Sequence, residues 1–379
     1  MIDVQPRRVV IVGAGVIGLA CAWRLARRLP AEVTVVDREP GSGASAVAAG
    51  MLAPLTEAHP TEDPLLRLSL TAAQRYPAFI EDLTTETGTD PGYATHGTLA
   101  IAFDADDRAE LEVLAGHLSA SGLPAEPLSA RDCRRLEPGL ATGVRGGLRI
   151  DGDRSIDNRR LIRTLRAAAE RAGVRFVAAE AHGVLDDGGR VTGVRVTGGS
   201  LPAEVMVVAA GCWSGGLHPS LSGLVRPVRG EIIRLRTRRS AVPLTRTVRA
   251  TVQGHRVYLV PRADGELVVG ATQQEAGFDT TVTAGGVYAL LRDARAVVPS
   301  IDEYELVEAQ AGLRPGSRDN APLIGPLGPE GLVAATGHHR NGILLAGVTA
   351  DAVTDLIADG ELPRYAAAAD PVRFGAAVS

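Results

Sequence analysis

Residues Val9–Asp37 read VVIVGAGVIGLACAWRLARRLPAEVTVVD. A β-branched run, Val9 to Val12, meets Gly13-Ala14-Gly15-Val16-Ile17-Gly18, then an apolar-periodic helix, then a second β-branched run ending at Asp37. This order is a βαβ unit whose first turn carries the G-x-G-x-x-G spacing of a dinucleotide site. Gly13 permits the tight turn, Gly15 lets backbone approach a pyrophosphate, and Gly18 lets the helix pack closely on the strand. The helix N-terminus offers unpaired N–H donors and a partial positive charge to phosphates. Asp37 stands where a carboxylate accepts hydrogen bonds from a ribose 2′-OH. Nothing in the spacing chooses between a nicotinamide and a flavin.

Outward from this unit, composition narrows the field. A chain of 379 residues has room for two or three domains, and 45% apolar content is enough for packed cores. A formal net charge of −4 gives no electrostatic case for nucleic acid or an anionic membrane. All 40 basic residues are arginine. Schiff-base lysines, pyridoxal-phosphate enzymes and P-loop lysines are therefore excluded. Cys21, Cys133 and Cys212 are odd in number and far apart. They read as free thiols in a reducing, cytoplasmic compartment. The eight histidines lack H-x-x-x-H or H-E-x-x-H spacing, and the adjacent His338-His339 is poorly arranged to share one ion, so no metal is expected. No run of eighteen apolar residues suggests a membrane span. Arg7-Arg8, an apolar run and Ala20-Cys21-Ala22 superficially match a twin-arginine signal with its cleavage site. Cleavage there would discard the glycines that Asp37 serves, so the segment is read as folded.

After Asp37-Arg38, Pro40 to Met51 is a run of small residues. Its three glycines and a proline argue for a loop, not a helix interior, with backbone passing close to a flat ligand. Helices are expected over Pro64–Leu83, from near Asp104, after the Ser129-x-x-Asp132 cap, and from Asp157 to Ala172 with Gly173 closing it. From Val225 to Leu306 the chain is strand-rich, with a hairpin at Ala263-Asp264-Gly265 and a helix near Thr283–Val297. Strand-then-helix character returns at Leu332–Ala335 and Asn341–Ala358. Nucleotide-like pieces at both ends and a β-rich piece between imply a split domain with an insertion.

Several segments together resemble the D-amino-acid oxidase superfamily of FAD enzymes, and most of all its glycine-oxidising branch. They are Gly13-x-Gly15-x-x-Gly18 with Asp37-Arg38 and Ala44-Ser45…Ala49-Gly50-Met51; Val207 to Ser214; Pro227 to Glu231 with Val257 to Arg262; Ala311 to Gly316; and Gly337 to Leu345. The resemblance covers nearly the whole chain. It implies an α/β fold: a Rossmann-like FAD-binding domain (1–85, 147–217 and 313–379) with an inserted antiparallel β-rich α+β substrate domain (86–146 and 218–312). It also implies oxidative deamination of glycine or similar amines by hydride transfer to flavin N5. The imine then hydrolyses to glyoxylate and ammonia while O2 becomes H2O2, serving thiamine thiazole biosynthesis in a homotetramer.

By the same resemblance Arg314 clamps the substrate carboxylate, Tyr258 donates its hydroxyl to it, and Arg340 reaches toward substrate. Arginine's planar fork suits a carboxylate better than lysine would. The cofactor set comprises Gly13, Gly15, Val16, Ile17, Gly18, Asp37, Arg38, Ala44, Ser45, Ala49, Gly50 and Met51. Ala181, Ala210, Gly211, Trp213, His338, His339, Asn341, Gly342, Ile343 and Leu344 complete it. FAD is expected to be noncovalent, since no cysteine follows Cys212. Ala53, Arg256 and Gln273 are possible pocket residues, and Arg256 and Gln273 leave the substrate open among glycine, sarcosine and D-amino acids. On residues alone a nicotinamide dehydrogenase and a non-catalytic flavin subunit stay open too.

Overall fold

The computed structural model describes residues 7–238, 242–252 and 254–375. The ends of the expected division, 1–6 and 376–379, lie outside them. Strand Arg8–Val12 pairs in parallel with Glu32–Asp37 on one side and Val205–Val208 on the other. The sheet runs Leu323–Pro326, Leu332–Thr336, Val205–Val208, Arg8–Val12, Glu32–Asp37, Arg175–Ala178, and only its first strand is antiparallel. Side chains alternate faces along a strand. Val9 and Ile11 therefore enter one core, while Val10 and Val12 enter another.

The helices are α1 (Val16–Arg28), α2 (Gly43–Val47), α3 (Asp63–Thr87), α4 (Ala105–Ala120), α5 (Ala130–Leu136), α6 (Asn158–Arg171), α7 (Ala284–Val297) and α8 (Gly342–Asp359). The first core joins the sheet to α1, α3, α6 and α8. The second lies beneath a small antiparallel sheet of Ala181–Asp187, Arg190–Val196 and Gly199–Pro202. The chain leaves Arg8–Val12 toward Glu32–Asp37 and leaves Val205–Val208 toward Leu332–Thr336 on the other side, so the carboxyl ends of these two central strands form the crevice where open α/β sheets take ligands.

A second, eight-stranded sheet runs Glu305–Gly316, Arg226–Arg236, Glu266–Gly270, His255–Pro261, Thr247–Val252, Thr98–Ala102, Gly146–Ile150, Glu126–Ser129. It is antiparallel except where Thr247–Val252 meets Thr98–Ala102. Ile233, Leu235 and Val269 pack with Leu290, Ala294 and Val297 of α7. Ile232, Val260 and Val268 face the other way, onto Ala49, Met51 and Val47. That contact brings the substrate-side sheet against the small-residue segment beyond Asp37.

The expected caps are present: Ser129 and Asp157 accept from the first-turn N–H groups of α5 and α6, and Gly173 adopts φ 84° after α6. The small-residue run is a correction, because it contains α2. Gly41 and Gly50 take positive φ outside the helix and Gly43 only begins it, leaving Ala44, Ser45 and Ala46 as its body. Pro40, Gly41 and Gly50 lie outside the helix, where their low helix propensity costs it nothing. The expected divisions at 85/86, 146/147 and 312/313 fall inside α3, Gly146–Ile150 and Glu305–Gly316.

Candidate cofactor and substrate site

One cavity of about 1240 Å3 runs from the glycine turn to the eight-stranded sheet. It exceeds the roughly 300–1,000 Å3 of ordinary small-molecule pockets, as a long dinucleotide requires. At one end Gly13 has φ 108°, and a Cβ there would lie 2.4 Å from the Ala209 carbonyl oxygen. A Cβ on Gly18 would meet the Gly13 carbonyl at 1.8 Å. Gly18 is thus a packing glycine behind the turn and does not line the cavity. Gly15, Val16 and Ile17 do line it, and Gly15, the N-cap of α1, has no side chain to cap the helix. The Val16 N–H donates to Ser45 Oγ at 3.0 Å, tying α2 to the start of α1.

Asp37 is more occupied than its sequence position suggests. It accepts from the Ala14 N–H and the Glu39 N–H, both at 2.7 Å. A carboxylate has about four lone-pair sites, so room remains for ribose hydroxyls. Arg38 pairs with Glu180 at 3.7 Å and lies 5.9 Å from the Trp213 ring. Ala181, Ala210 and Gly211 line the same end.

Ala44, Ser45, Ala49, Gly50 and Met51 line the middle of the cavity. Asn158 donates to the carbonyls of Ser45 and Ala46 at 2.7 and 3.0 Å, and Arg262 donates to that of Ala49. Arg234 reaches the Ala46 carbonyl at 3.4 Å. This buried clasp holds the segment's carbonyls on the side groups of α6 and the eight-stranded sheet. The sequence reading missed all three side chains, which stand far from the segment in the chain.

At the far end α8 begins at Gly342, again without a side-chain cap. His338, His339, Asn341, Gly342 and Ile343 line the cavity, but Leu344 does not. One residue further round the helix, Leu344 turns away and is 1% exposed in the core with α1. His338 shares a 2.9 Å hydrogen bond with Thr349, and burial pushes its imidazole down to about 3. His339 falls to about 4 through burial and the nearby cations of Arg340, Arg314 and Arg226. Both rings are neutral at pH 7, and neither ring nitrogen of His339 has a partner among the described residues.

Tyr258 and Arg314 come together against this end. Arg314 lies within Glu305–Gly316, not beside a turn, and its guanidinium fills the space above Gly230. The Tyr258 hydroxyl fills the space above Gly270. Burial raises the Tyr258 pKa against the opposing charge of Arg314, so the phenol keeps its proton. Arg314 donates to the Thr272 carbonyl at 3.3 Å and has no carboxylate partner among the described residues.

Arg340 lines the cavity and is ion-paired within the protein: its Nε lies 2.7 Å from Glu57, and a second nitrogen lies 3.3 Å from Glu62. Arg249 donates to the other oxygen of Glu57. Burial would raise the Glu57 pKa, but Arg249, Arg340 and Arg314 outweigh it and hold the carboxyl below its usual range. Glu57 and Arg249 were missed. Glu57 is a single acid with no local pattern, and Arg249 lies in a strand the sequence reading did not resolve. Ala53, Gln273 and Arg256 line the cavity, Arg256 being exposed and 3.9 Å from Glu110.

The cavity fits the FAD implied by the resemblance. The N-termini of α1 and α8 suit its charged groups, and a Cβ at Gly13 would collide with the strand end behind it. Cys212 also lines it, but burial raises its pKa to about 12, which keeps it a thiol.

Comparisons with known proteins agree. The family model "FAD dependent oxidoreductase" (DAO) matches residues 8–356. Glycine oxidase of Geobacillus kaustophilus is 36% identical over 356 residues, 92% of each chain, and its crystal structure superposes with a TM-score of 0.88 over 97% of this chain and 99% of that one. The bifunctional protein ThiO/ThiG of Nostoc sp. is 36% identical over 354 residues, 93% of this chain. The chain spans about half (53%) of that bifunctional relative's length. The crystal structure of iminodiacetate oxidase from Chelativorans sp. is 26% identical, with a TM-score of 0.84 over 96% of this chain and 99% of that one. The chain belongs to the DAO family of FAD-dependent oxidoreductases.

Proposed function

We propose that the chain oxidises glycine and comparably small amines, with FAD as its cofactor. The observation that carries this reading is the open Arg314 fork beside the protonated Tyr258 hydroxyl, in the same cavity as the start of α8. Arg314 and Tyr258 hold the substrate carboxylate and so fix the position of its Cα. Gly13, Gly15, Val16 and the Ala44–Met51 segment hold the dinucleotide. Gly342 and Ile343 in the first turn of α8 offer N–H donors and a positive helix end to charge that builds at the redox end. FAD, when bound, takes up the hydride from Cα.

Glu57 and Glu62 are both engaged by arginine. This supports a reaction without a carboxylate base, in which the amine enters unprotonated and orientation supplies most of the catalysis. The imine adds water to give glyoxylate and ammonia, and O2 takes the two electrons and two protons to leave as H2O2. The family assignment removes the nicotinamide alternative. The thiol state of Cys212 supports noncovalent attachment. The ThiO/ThiG relatives support a place in thiamine thiazole biosynthesis. A reducing cytoplasmic setting and a homo-oligomer, tetrameric by resemblance, complete the proposal. Three buried free thiols support the first, and sedimentation tests the second.

Glycine added anaerobically should bleach the flavin band of the purified protein. Unchanged spectra with glycine, sarcosine and D-alanine would refute the reading, while ranked initial rates decide among these substrates. Peroxide release by the isolated chain excludes a purely electron-transferring subunit.

A further inference from the structure

Four arginines surround the substrate end of the cavity: Arg249, Arg256, Arg314 and Arg340. Arg249 and Arg340 close on the two oxygens of Glu57. Arg340 also reaches Glu62, whose other oxygen accepts from Asn320 at 2.7 Å, and Arg256 lies 3.9 Å from Glu110. Only Arg314 is left open among the described residues. Asp153, fully buried, accepts from the Leu55 N–H at 3.0 Å and the Thr56 N–H at 3.4 Å, and so fixes the backbone that delivers Glu57.

We propose that Glu57 is a specificity-determining residue that closes this pocket to a second anionic group, so that the substrate carries a single carboxylate. The inference rests on the amino-acid reading above and narrows its substrate class. Glu57 occupies the face of Arg249 and Arg340 where a second carboxylate would find its counter-charge. A dicarboxylate must displace an ion pair built into the wall, or bring like charge against it in a water-poor site. Glycine, sarcosine and D-alanine each bring one carboxylate to the open Arg314. Iminodiacetate and D-aspartate bring two. A Glu57→Gln chain would leave Arg249 without its ion pair and Arg340 with Glu62 alone, and turn the wall into a second anion site.

Binding of non-reacting carboxylates tests this on the FAD-loaded protein without turnover. Acetate should perturb the flavin spectrum, and malonate should bind at least tenfold more weakly. In Glu57→Gln the malonate-to-acetate ratio of Kd values should fall at least tenfold, whereas Glu57→Asp keeps the wild-type ratio. Equal or tighter malonate binding by the wild type overturns the proposal, as does an unchanged ratio in Glu57→Gln or the absence of any acetate effect. The wild-type arm decides even if Glu57→Gln does not fold. If no amino acid reduces the wild-type flavin, the oxidase reading fails separately, and the acetate–malonate comparison still judges Glu57.

Discussion

Truncating Arg314 to alanine isolates the carboxylate clamp from the fold. Its guanidinium donates within the protein only to the Thr272 carbonyl, at 3.3 Å, among the described residues. Removal therefore strands no buried carboxylate, and the chain should stay folded and loaded with FAD. A small amino acid has little besides its carboxylate for the site to hold. Hydrogen bonds to charged groups contribute about 1.5–3 kcal/mol, and breaking a buried charge pair costs about 2–5 kcal/mol. At about 1.4 kcal/mol per factor of ten, glycine affinity should fall by roughly 30- to 3,000-fold. Tyr258→Phe, which removes one neutral donor to the charged carboxylate worth about 1.5–3 kcal/mol, should cost about 12- to 140-fold. Anaerobic stopped-flow reduction at graded glycine concentrations gives both values. Arg314→Ala with full flavin and unchanged glycine saturation would refute the clamp. Loss of flavin from the same variant would show that Arg314 supports the cofactor end instead.

Other consequences are open to direct measurement. Gly15→Val places a branched side chain where a Cβ alone would stand 3.1 Å from Ser45 Oγ, so the protein should purify without FAD; a normal flavin-to-protein ratio would contradict the cradle. Leu344→Ala should lose about 2–5 kcal/mol in denaturant unfolding yet retain FAD, since the side chain belongs to the core; flavin loss without destabilisation would restore it to the cofactor site. The His338 imidazole has a folded pKa of about 3, and about 6.5 when unfolded. The unfolded chain takes up that proton first. Its stability contribution is full above about pH 6.5 and is lost as pH falls toward about 3. His338→Gln should flatten the stability slope by up to about 1.4 kcal/mol per pH unit between these limits, and parallel wild-type and variant curves would refute the assignment.

Local physics explains which features could be read from sequence. The turn at Gly13, its helix and the strand to Asp37 are contiguous, so spacing and periodicity specify them together. Caps at Ser129 and Asp157 are local as well. Thr247–Val252 was missed because its membership of a sheet depends on His255–Pro261 and Thr98–Ala102, not on its own alternation. Arg314 precedes Pro315-Gly316, a pair that by itself signals a turn. It becomes a strand residue because Arg226–Arg236 pairs along its length. Glu57 has no signal until folding carries Arg249 and Arg340 to it. The clasp of Asn158, Arg234 and Arg262 was illegible for the same reason: each group binds a carbonyl contributed by a distant segment.

The N-termini of α1 and α8 also bear on when this protein can acquire its cofactor. One belongs to residues near the beginning of the chain and the other to Gly342, and both open into one cavity. Strand Arg8–Val12 waits for Val205–Val208, and that strand waits in turn for Leu332–Thr336. A nascent chain can therefore offer only half of the cradle until Gly342 and the start of α8 have left the ribosome.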